Sequence, residues 1–446
     1  MKIFFDALGC SKALVDAEKM CFLLEENSHE LVSDPAEAQA IVINTCGFIK
    51  KAKEENIGAI LTYAEMKKTN PRLKIVVSGC LTERYKKELL DLIPEIDGAI
   101  GVRDPLKLLE TLGNNGPDGP SGLLDEGQQY KIEAIGGRRL YFSGLNYAYL
   151  KISEGCSRSC SFCAIPGIRG IQQSRTVEDI VKEAAVLSEA GVRELIIISE
   201  DTMSYGKDLY KKFSLITLLE ELLKTGIPWI RLMYLYPDRE LVKLAQFIAS
   251  NERICNYIDM PLQHVNKSII SRMKRSGSSG DYLGLLKNIR EASPGIRIRS
   301  SFITGYPGET QGDHEELMSF LREAALDRVG FFEYSDEENT SSFLEKNKVK
   351  AGVIKKRMGE LAALQEIISL EKIGALEGSE MLCINDGQVI EENGIRHLLL
   401  RSEYDAPEID GHIMVVSDSA LMEKDFIRVR IKNPYNAHDL FAEVIG

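Results

Sequence analysis

The segment AYLKISEGCSRSCSFC, Ala148 to Cys163, joins a short apolar stretch to a loop that carries three cysteines. These are Cys156, Cys160 and Cys163, in a C-x₃-C-x₂-C spacing. A structural zinc site normally takes four protein ligands, and the nearest downstream histidine is His264. Three thiolates at close spacing instead favour an iron–sulfur cluster in which one iron has no protein ligand. An open position on a metal is where chemistry takes place.

The residues around this loop predict a central α/β domain over residues 141–375. Apolar segments alternate there with amphipathic helical patterns. The six predicted strands are AYLKIS, ELIIIS, WIRLMYL, NYIDM, IRIRSSFI and VGFFEY. Six such units are short of the eight that close a full barrel, so we predict a partial (β/α)6 barrel, with a helix from about Ile354 to Leu376 leading out of it. The cysteine loop follows the first strand, at the carboxyl end where barrel active sites lie.

Two further domains are expected to flank the barrel. Residues 1–140 alternate apolar strands with helical patterns, which predicts a parallel sheet covered by helices. The stretch GNNGPDGPSG at 113–122 is rich in Gly and Pro and predicts a flexible linker. Residues 376–446 contain five short strand patterns separated by turns, which predict a small all-β barrel. The fold class is therefore expected to be mixed α/β, in three domains.

The composition is typical of a globular protein with no membrane partner. The 446 residues are 44% hydrophobic and 27% charged, and no run of about 18 apolar residues occurs. The start, MKIFFDALGC, is a poor signal peptide because an aspartate interrupts the apolar run. We therefore expect a cytoplasmic location, and we also expect a monomer. The net charge of -12 argues against broad nucleic-acid binding through a basic surface.

Three upstream cysteines each follow the end of a predicted parallel strand. They are Cys10, Cys46 and Cys80, and the glycines next to them are Gly9, Gly47 and Gly79. Open parallel sheets bind ligands outside the carboxyl ends of their strands, and glycine permits close approach of backbones. We therefore expect these cysteines to converge on a second cluster with one open iron; the alternative is three independently buried thiols. Three other cysteines, in apolar segments, are expected in the core: Cys21, Cys255 and Cys383.

The C-x₃-C-x₂-C loop, with Phe162 before its last cysteine and a barrel strand before it, resembles the radical S-adenosylmethionine enzymes. The resemblance implies that S-adenosylmethionine binds the open iron of a [4Fe–4S] cluster through its amino and carboxylate groups. It also implies that the reduced cluster cleaves S-adenosylmethionine to a 5′-deoxyadenosyl radical, which abstracts a hydrogen atom. Such an enzyme requires an electron donor.

Two cysteine trios and a TRAM-like terminal β-barrel together resemble the methylthiotransferases over nearly the whole chain. This resemblance implies two [4Fe–4S] clusters, or about eight irons per chain, and a sulfur donor. The loop trio would then hold the cluster that removes hydrogen from an unreactive carbon. The upstream trio would hold the cluster that presents a sulfur atom, methylated by a second S-adenosylmethionine.

The segment LGCSKALVDAEKM, Leu8 to Met20, is similar to the LGCPKNxVDSE pattern of the methylthiotransferase branch that modifies a ribosomal protein. It departs from that pattern at Ser11, Ala13 and Ala17. Three further segments fit the same branch: PLQH (Pro261 to His264), MKR (Met273 to Arg275) and DAPEIDG (Asp405 to Gly411). The implied substrate is an aspartate of ribosomal protein S12, methylthiolated at its β-carbon, either free or in the small ribosomal subunit.

Two alternatives remain open. One is the branch that modifies adenosine in transfer RNA, which has a YGCQMN-like pattern in place of LGCSKA. The other is a non-catalytic zinc or iron–sulfur protein. Residues 376–446 contain 14 acidic and 6 basic side chains. Because this balance repels phosphates and suits a basic protein, it favours a ribosomal protein over RNA as the partner.

Several residues are weaker candidates for contacts with S-adenosylmethionine, Phe162 among them. ISEDT, Ile198 to Thr202, ends a predicted strand, resembles the family's ISQDT and supplies Glu200 and Asp201. TGYPGET ends another strand and supplies Thr304, Gly305 and Gly308. No general base is assigned, and no catalytic residue beyond the cluster ligands.

Other polar residues near these motifs have structural interpretations. Thr310 is expected to cap a helix with Asp313 in a capping box. Ion pairing and ligand binding are both open for Arg169 and Arg175. Two more residues are expected to be structural: His264 and Trp229.

Overall fold

The computed structural model describes residues 1–102, 105–113, 139 and 146–445. Apart from Gly113, the predicted linker at 113–122 lies outside the described residues. Among the residues described, no helix is long and apolar enough to cross a membrane.

The N-terminal domain is a parallel five-stranded sheet in the order β2-β1-β3-β4-β5. Its strands are β1 (Lys2–Ala7), β2 (Glu30–Val32), β3 (Ala40–Thr45), β4 (Lys74–Gly79) and β5 (Gly98–Ile100). Its helices are α1 (Ser11–Glu26), α2 (Lys50–Met66), α3 (Cys80–Leu92) and α4 (Lys107–Gly113). Every residue of β3 is buried, as its continuous apolar run predicts for a central strand covered on both faces. The sequence pattern missed β2, because three residues at a sheet edge carry too little periodicity, and it also missed the short helix α4.

The central domain is a partial barrel of six parallel strands, as predicted. They are β6 (Tyr147–Lys151), β9 (Glu194–Ile198), β10 (Trp229–Leu232), β11 (Tyr257–Asp259), β12 (Arg297–Thr304) and β13 (Arg328–Glu333). They form two three-stranded sheets, linked by a parallel backbone bridge between Ile230 and Ile254. A two-stranded hairpin, β7 (Ser153–Glu154) with β8 (Gln173–Ser174), brackets the cysteine loop.

Helices cover the outside of these strands and lead to the next domain. They are α5 (Ile165–Arg169), α6 (Val177–Glu189), α7 (Leu215–Leu222), α8 (Glu240–Ala249), α9 (Lys267–Arg272), α10 (Ser279–Ala292), α11 (Gln311–Ala324) and α12 (Ala351–Gly374). The helix α11 begins with a capping box between Thr310 and Asp313, which confirms that interpretation.

The C-terminal domain is a closed five-stranded barrel in the order β14-β15-β16-β18-β17. Its elements are β14 (Glu380–Glu392), β15 (Ile395–Ser402), β16 (Ile413–Val416), α13 (Ser419–Met422), β17 (Phe426–Pro434) and β18 (Leu440–Val444). The all-β prediction is therefore confirmed. Closure removes the exposed strand edges that a small sheet would otherwise present.

Side chains from both outer domains pack into the inner core of the central barrel. Val15 of α1 and Ile384 and Ala406 of the C-terminal domain join one buried cluster with barrel residues such as Trp229. The three cysteines assigned to the core are also buried, as predicted: Cys21, Cys255 and Cys383. The three domains thus share one buried apolar cluster.

The acidic surplus of the C-terminal domain is partly used inside the chain. Asp405 pairs with Arg328 at 3.2 Å, and Asp410 lies 3.6 Å from Arg299. Both arginines belong to barrel strands, and both aspartates belong to the DAPEIDG segment. Because these carboxylates are consumed at the domain interface, the charge balance alone overstates the acidity offered to a partner.

Candidate functional site

The sheet order places the three upstream cysteines side by side. Cys10 precedes α1, Cys46 follows β3 and Cys80 begins α3, after β4. Since β1, β3 and β4 are neighbours in the sheet, their carboxyl ends form one edge. Cys10 lies within electrostatic range of both Cys46 and Cys80. The structure therefore brings together the residues that the sequence pattern places at strand ends.

The adjacent glycines are what permit this approach. A Cβ atom on Gly9 would lie 3.1 Å from the Cβ of Cys46, and one on Gly47 would lie 2.8 Å from the carbonyl oxygen of Cys80. Gly79 has φ of +99°, and a Cβ there would collide with the carbonyl oxygen of Thr45. A side chain at any of these positions would push the three strand ends apart.

The second trio lies on one loop, which its own backbone holds in place. The N–H of Cys156 donates to the carbonyl oxygen of Gly170 at 3.0 Å, and the N–H of Cys163 donates to that of Cys160 at 3.2 Å. Gly155 has φ of +69°, and a Cβ there would lie 2.5 Å from the carbonyl oxygen of Ile171. Phe162 is half-buried and packs against the main barrel core.

Burial makes most of these thiols hard to ionise by themselves. It raises the pKa of Cys156 to about 11 and those of Cys80 and Cys163 to about 12. It also raises the pKa of Cys46. A bound metal is the charge that keeps such buried thiols deprotonated, so the donor chemistry fits an iron–sulfur group better than free thiols.

Each trio offers three sulfurs, which fits the four irons of a cubane with one position left open. In the described part of the chain, no group of three His, Cys, Asp or Glu side chains is arranged to hold a single metal ion. In a cubane, each thiolate binds a different iron, so its ligands stand further apart than those of a single zinc ion. The two trios therefore fit four-iron clusters by ligand type and number.

Glu200 lies where the N-terminal domain meets the helix that follows the cysteine loop. Its carboxylate is 3.8 Å from the ammonium of Lys12, on α1, and 3.8 Å from the guanidinium of Arg169, on α5. Burial raises the pKa of Cys46 and of Cys163, and the Glu200 carboxylate adds to the rise at both thiols. Cys80 of the upstream trio also lies in one buried cluster with Ile168 of α5, just after the cysteine loop, so the two trios border one space between the domains.

Buried ion pairs fasten the N-terminal domain over this space. Asp16 of α1 accepts hydrogen bonds from Lys151 and, at 3.2 Å, from Arg169. Arg169 also donates to Glu154 at 2.6 Å and lies beside Cys80, where its charge opposes the rise in pKa of that thiol. The question left open for Arg169 is thus answered by ion pairing between the domains.

Two predicted S-adenosylmethionine contacts have unused polar atoms. Oδ1 of Asp201 and Oγ1 of Thr304 are buried and have no hydrogen-bond partner among the residues that the structure describes. The other oxygen of Asp201 accepts from Nε of Arg158 at 2.7 Å and from Oγ of Ser204 at 2.6 Å. Buried polar atoms normally find partners, so these two atoms mark positions where a ligand can supply them.

The two glycines of TGYPGET, Gly305 and Gly308, allow close packing of neighbouring side chains. A Cβ on Gly305 would collide with Ile354 of α12, and one on Gly308 would lie 2.8 Å from Nη1 of Arg272. Their N–H groups donate to Glu309 and to the carbonyl oxygen of Asn347. Contact between these glycines and a ligand stays a prediction.

The remaining sequence interpretations are settled by contacts. Arg175 pairs with Asp179 and Glu183, each at 2.6 Å. His264 is buried, and its Nδ1 accepts from the N–H of Asn266 at 3.0 Å, as expected for a structural histidine. Trp229 is 7% exposed and meets Phe426 edge to face.

Sequence reasoning missed the aromatic and basic residues that surround the cysteine loops. The ammonium of Lys12 lies 3.3 Å from the ring centroid of Tyr234, and Tyr236 is flanked by Arg158 and Arg275. Lys12 was available as a signal, since it is a matching position of the LGCPKNxVDSE pattern. Arg275 was available in the same way, as the last residue of the MKR segment. Tyr234, Tyr236 and Arg158 lie in loops without periodicity, and no spacing rule connects them.

Three family descriptions match the chain, one in each domain. Residues 2–101 match the Uncharacterized protein family UPF0004, residues 150–321 match the Radical SAM superfamily, and residues 378–445 match the TRAM domain. Among solved structures, the radical S-adenosylmethionine methyltransferase TsrM from Kitasatospora setae has a TM-score of 0.53 at 13% identity. That alignment covers 88% of this chain and 81% of TsrM, and it concerns the fold alone.

Curated relatives match over almost the whole length. The chain is 41% identical over 439 residues to "Ribosomal protein uS12 methylthiotransferase RimO" of Thermoanaerobacter sp. (strain X514), which covers 98% of each chain. It is 39% identical over 452 residues to the protein of the same name from Clostridium botulinum (strain Hall), covering 100% of this chain and 98% of that relative. The chain therefore belongs to the RimO family of methylthiotransferases and is an enzyme of the transferase class.

Proposed function

We propose that this enzyme replaces a C–H bond at the β-carbon of an aspartate in ribosomal protein S12 with a C–S bond to a methylthio group. The names of the full-length relatives support S12 as the substrate. The match of residues 150–321 to the Radical SAM superfamily supports radical chemistry on S-adenosylmethionine. The choice of aspartate and of its β-carbon rests on the resemblance of the LGCSKALVDAEKM segment.

One observation carries the proposal: two cysteine trios of the same donor type border one space between the domains, where Cys80 of one trio packs with Ile168, just after the loop that carries the other. A transfer that takes hydrogen from a carbon and gives sulfur to it needs two reactive centres close to one substrate atom. A single catalytic cluster would need only the loop trio. The geometry therefore supports two [4Fe–4S] clusters, one on each trio.

The residues of this chain divide the work by position. Cys156, Cys160 and Cys163 would hold one cluster, and Cys10, Cys46 and Cys80 would hold the other. When bound, S-adenosylmethionine supplies both the methyl group and, after one-electron reduction, the hydrogen-abstracting radical. Oδ1 of Asp201 and Oγ1 of Thr304 would accept or share its polar hydrogens. The α1 helix, held by Asp16, would exclude water from the space between the clusters.

The proposed reaction requires a sulfur donor and an electron donor. A monomeric enzyme located in the cytoplasm stays a prediction, and so does the form of S12 that serves as substrate. No residue is proposed as a general base, because hydrogen-atom abstraction removes a proton and an electron together.

The test supplies reduced, cluster-reconstituted enzyme with S-adenosylmethionine and a sulfide source. Parallel reactions contain purified S12, small ribosomal subunits or transfer RNA. The expected result is a mass increase of one methylthio group for hydrogen on one S12 aspartate, located by fragmentation mass spectrometry. A Cys163→Ala variant should give no product. Modification of transfer RNA alone would overturn the assignment to S12, and modification of another S12 residue would overturn the aspartate.

A further inference from the structure

Two arginines flank one tyrosine ring beside the loop trio. The guanidinium carbons of Arg158 and Arg275 lie 3.7 Å and 4.2 Å from the ring centroid of Tyr236. Both guanidinium groups therefore lie within cation–π range of the same ring. Tyr236 itself is half-buried against the barrel core, which fixes the plane of the stack.

Each arginine also contacts a different cysteine of that trio. The backbone N–H of Arg158 donates to Sγ of Cys156 at 3.4 Å. Nη1 of Arg275 donates to Sγ of Cys160 at 3.8 Å. Two of the three sulfurs therefore receive N–H groups from residues of one stack, and two positive charges stand next to them.

The MKR and PLQH segments, which the proposed chemistry does not use, meet at this stack. Nη2 of Arg275 donates to the carbonyl oxygen of Pro261 at 2.7 Å. Lys274 has φ of +54°, which turns the chain after α9 so that Arg275 can reach the loop. The carbonyl oxygen of Met273 accepts from the N–H of Ser161 at 3.0 Å, so MKR touches the cysteine loop twice.

Stacking explains how two like charges persist side by side. An aromatic ring attracts cations, so Tyr236 stabilises both guanidinium groups. Asp201 accepts from Nε of Arg158 and balances one of the charges. Asp201 and Glu200 also raise the pKa of Cys156, beside the larger effect of burial, so they act against the arginines at the sulfurs. The second guanidinium, on Arg275, forms no ion pair among the described residues.

We propose that Arg158 and Arg275, positioned by Tyr236, raise the reduction potential of the cluster bound at Cys156, Cys160 and Cys163. This inference rests on the proposed function, since it assumes a cluster at that trio. Cluster potentials depend on local charge and on hydrogen bonds to the sulfurs. An added electron is stabilised by nearby cations and N–H donors, so the stack makes a difficult reduction easier. Tyr236 is then a positioning residue that acts through the arginines.

The test isolates one cluster in the full-length chain. The parent protein carries Cys10→Ala, Cys46→Ala and Cys80→Ala, is reconstituted with iron and sulfide, and is titrated reductively without S-adenosylmethionine. Electron paramagnetic resonance follows the reduced cluster, and iron content is matched between samples. Arg275→Met should shift the equilibrium at least tenfold toward the oxidised form, which is about 59 mV for a one-electron couple.

Two tyrosine variants separate positioning from packing. Tyr236→Leu removes the ring faces and should shift the potential in the same direction, whereas Tyr236→Phe keeps them and should leave it unchanged. Arg193→Met is the matched control, because Arg193 pairs with Asp425 beside the amino end of β9, away from the cysteine loop. Its potential should equal that of the parent.

Each outcome has one meaning. A parent protein that binds no cluster would overturn the cluster assignment and this inference with it. Clusters that form normally in Arg275→Met and Tyr236→Leu with an unchanged potential would overturn this inference alone. If Arg275→Met fails to assemble a cluster, the comparison of Tyr236→Leu with Tyr236→Phe decides the question. Equal cluster potentials in these two variants would refute the inference.

Discussion

The two cysteine trios have the same donor set and opposite origins. The loop trio lies within residues 156–163, so its geometry follows from one short segment and its own backbone hydrogen bonds. The upstream trio spans residues 10–80 and exists only because three neighbouring strands end at one sheet edge. A local site is thus lost by local changes, whereas an assembled site depends on every element that sets the sheet edge.

The trios also differ in how they meet solvent and charge. Cys10 is exposed and Cys80 is buried, so the upstream trio opens on one side. In the loop trio, Cys156 accepts from the backbone N–H of Arg158, and Cys160 accepts from the side chain of Arg275. At the upstream trio, the guanidinium of Arg169 lies beside Cys80 and is held by ion pairs with Asp16 and Glu154. The two trios therefore differ in exposure and in what holds the cations beside them, which is ion pairing at the upstream trio and a tyrosine ring at the loop trio.

The largest expected effect comes from removing one ligand of either trio. Cys46→Ala and Cys160→Ala should each abolish methylthio transfer and lower the iron content from about eight to about four per chain. Iron analysis on reconstituted protein measures this. Cys21→Ala, which alters a buried core cysteine in the same domain as Cys46, should keep the full iron content. Full iron in Cys46→Ala would show that the upstream trio is not a cluster site.

Asp16→Asn tests whether the ion pairs of Asp16 hold the N-terminal domain, with its cysteine trio, against the barrel. Asp16 is 6% exposed and bridges Lys151 and Arg169 of the barrel. Removing one partner of a buried ion pair costs about 3–5 kcal/mol, so denaturant unfolding should show that loss. Both clusters should still form, and transfer between them should fall. Glu65→Gln, in an exposed pair with Lys68, should change stability by no more than about 0.5 kcal/mol. Equal effects from both variants would argue against a fastening role.

Two glycine substitutions should separate the trios. Alanine at Gly79 or Gly155 costs about 1–3 kcal/mol of backbone strain, since both have positive φ, and each Cβ would also press on a backbone carbonyl oxygen. Gly79→Ala should lose the upstream cluster and keep the loop cluster, and Gly155→Ala should do the reverse. Gly284→Ala is the control, because its Cβ meets nothing within 4 Å inside α10, and it should stabilise the chain by about 0.5–1 kcal/mol. Equal loss of both clusters in either variant would contradict separate assembly.

The smallest effect is a pH dependence confined to the central barrel. Burial lowers the pKa of His264 to about 4, from 6.5. The unfolded chain therefore binds the proton first, and stability is lost as pH falls from about 6.5 to about 4, by about 2 kcal/mol at pH 5. When the pH is lowered from 7 to 5, the protection of backbone amides from hydrogen exchange should fall more in the barrel than in the N-terminal sheet. His264→Asn keeps an acceptor for the N–H of Asn266 and should remove this difference. A slope that persists in the variant would assign it to another group.

The sequence by itself determined what depends on neighbours along the chain. Strand and helix periodicity predicted the three domains, because burial of one face leaves a regular pattern. The spacing of Cys156, Cys160 and Cys163 predicted a metal loop, since a short segment fixes its own ligands. The position of each upstream cysteine just after a predicted parallel strand indicated that the three cysteines converge, because the carboxyl ends of parallel strands share an edge. The strand β2 was not predicted, because three residues are too few to show a periodic pattern.

Only the tertiary structure decided what depends on contacts between distant segments. It packed Cys80 against Ile168, just after the cysteine loop, and turned Arg169 into a link between the domains. It assigned part of the C-terminal acidity to Arg299 and Arg328, which composition could not reveal. It also stacked Arg158 and Arg275 on Tyr236 from three separate loops. Long charged side chains reach partners far along the chain, so their pairing follows from the folded geometry and from no spacing in the sequence.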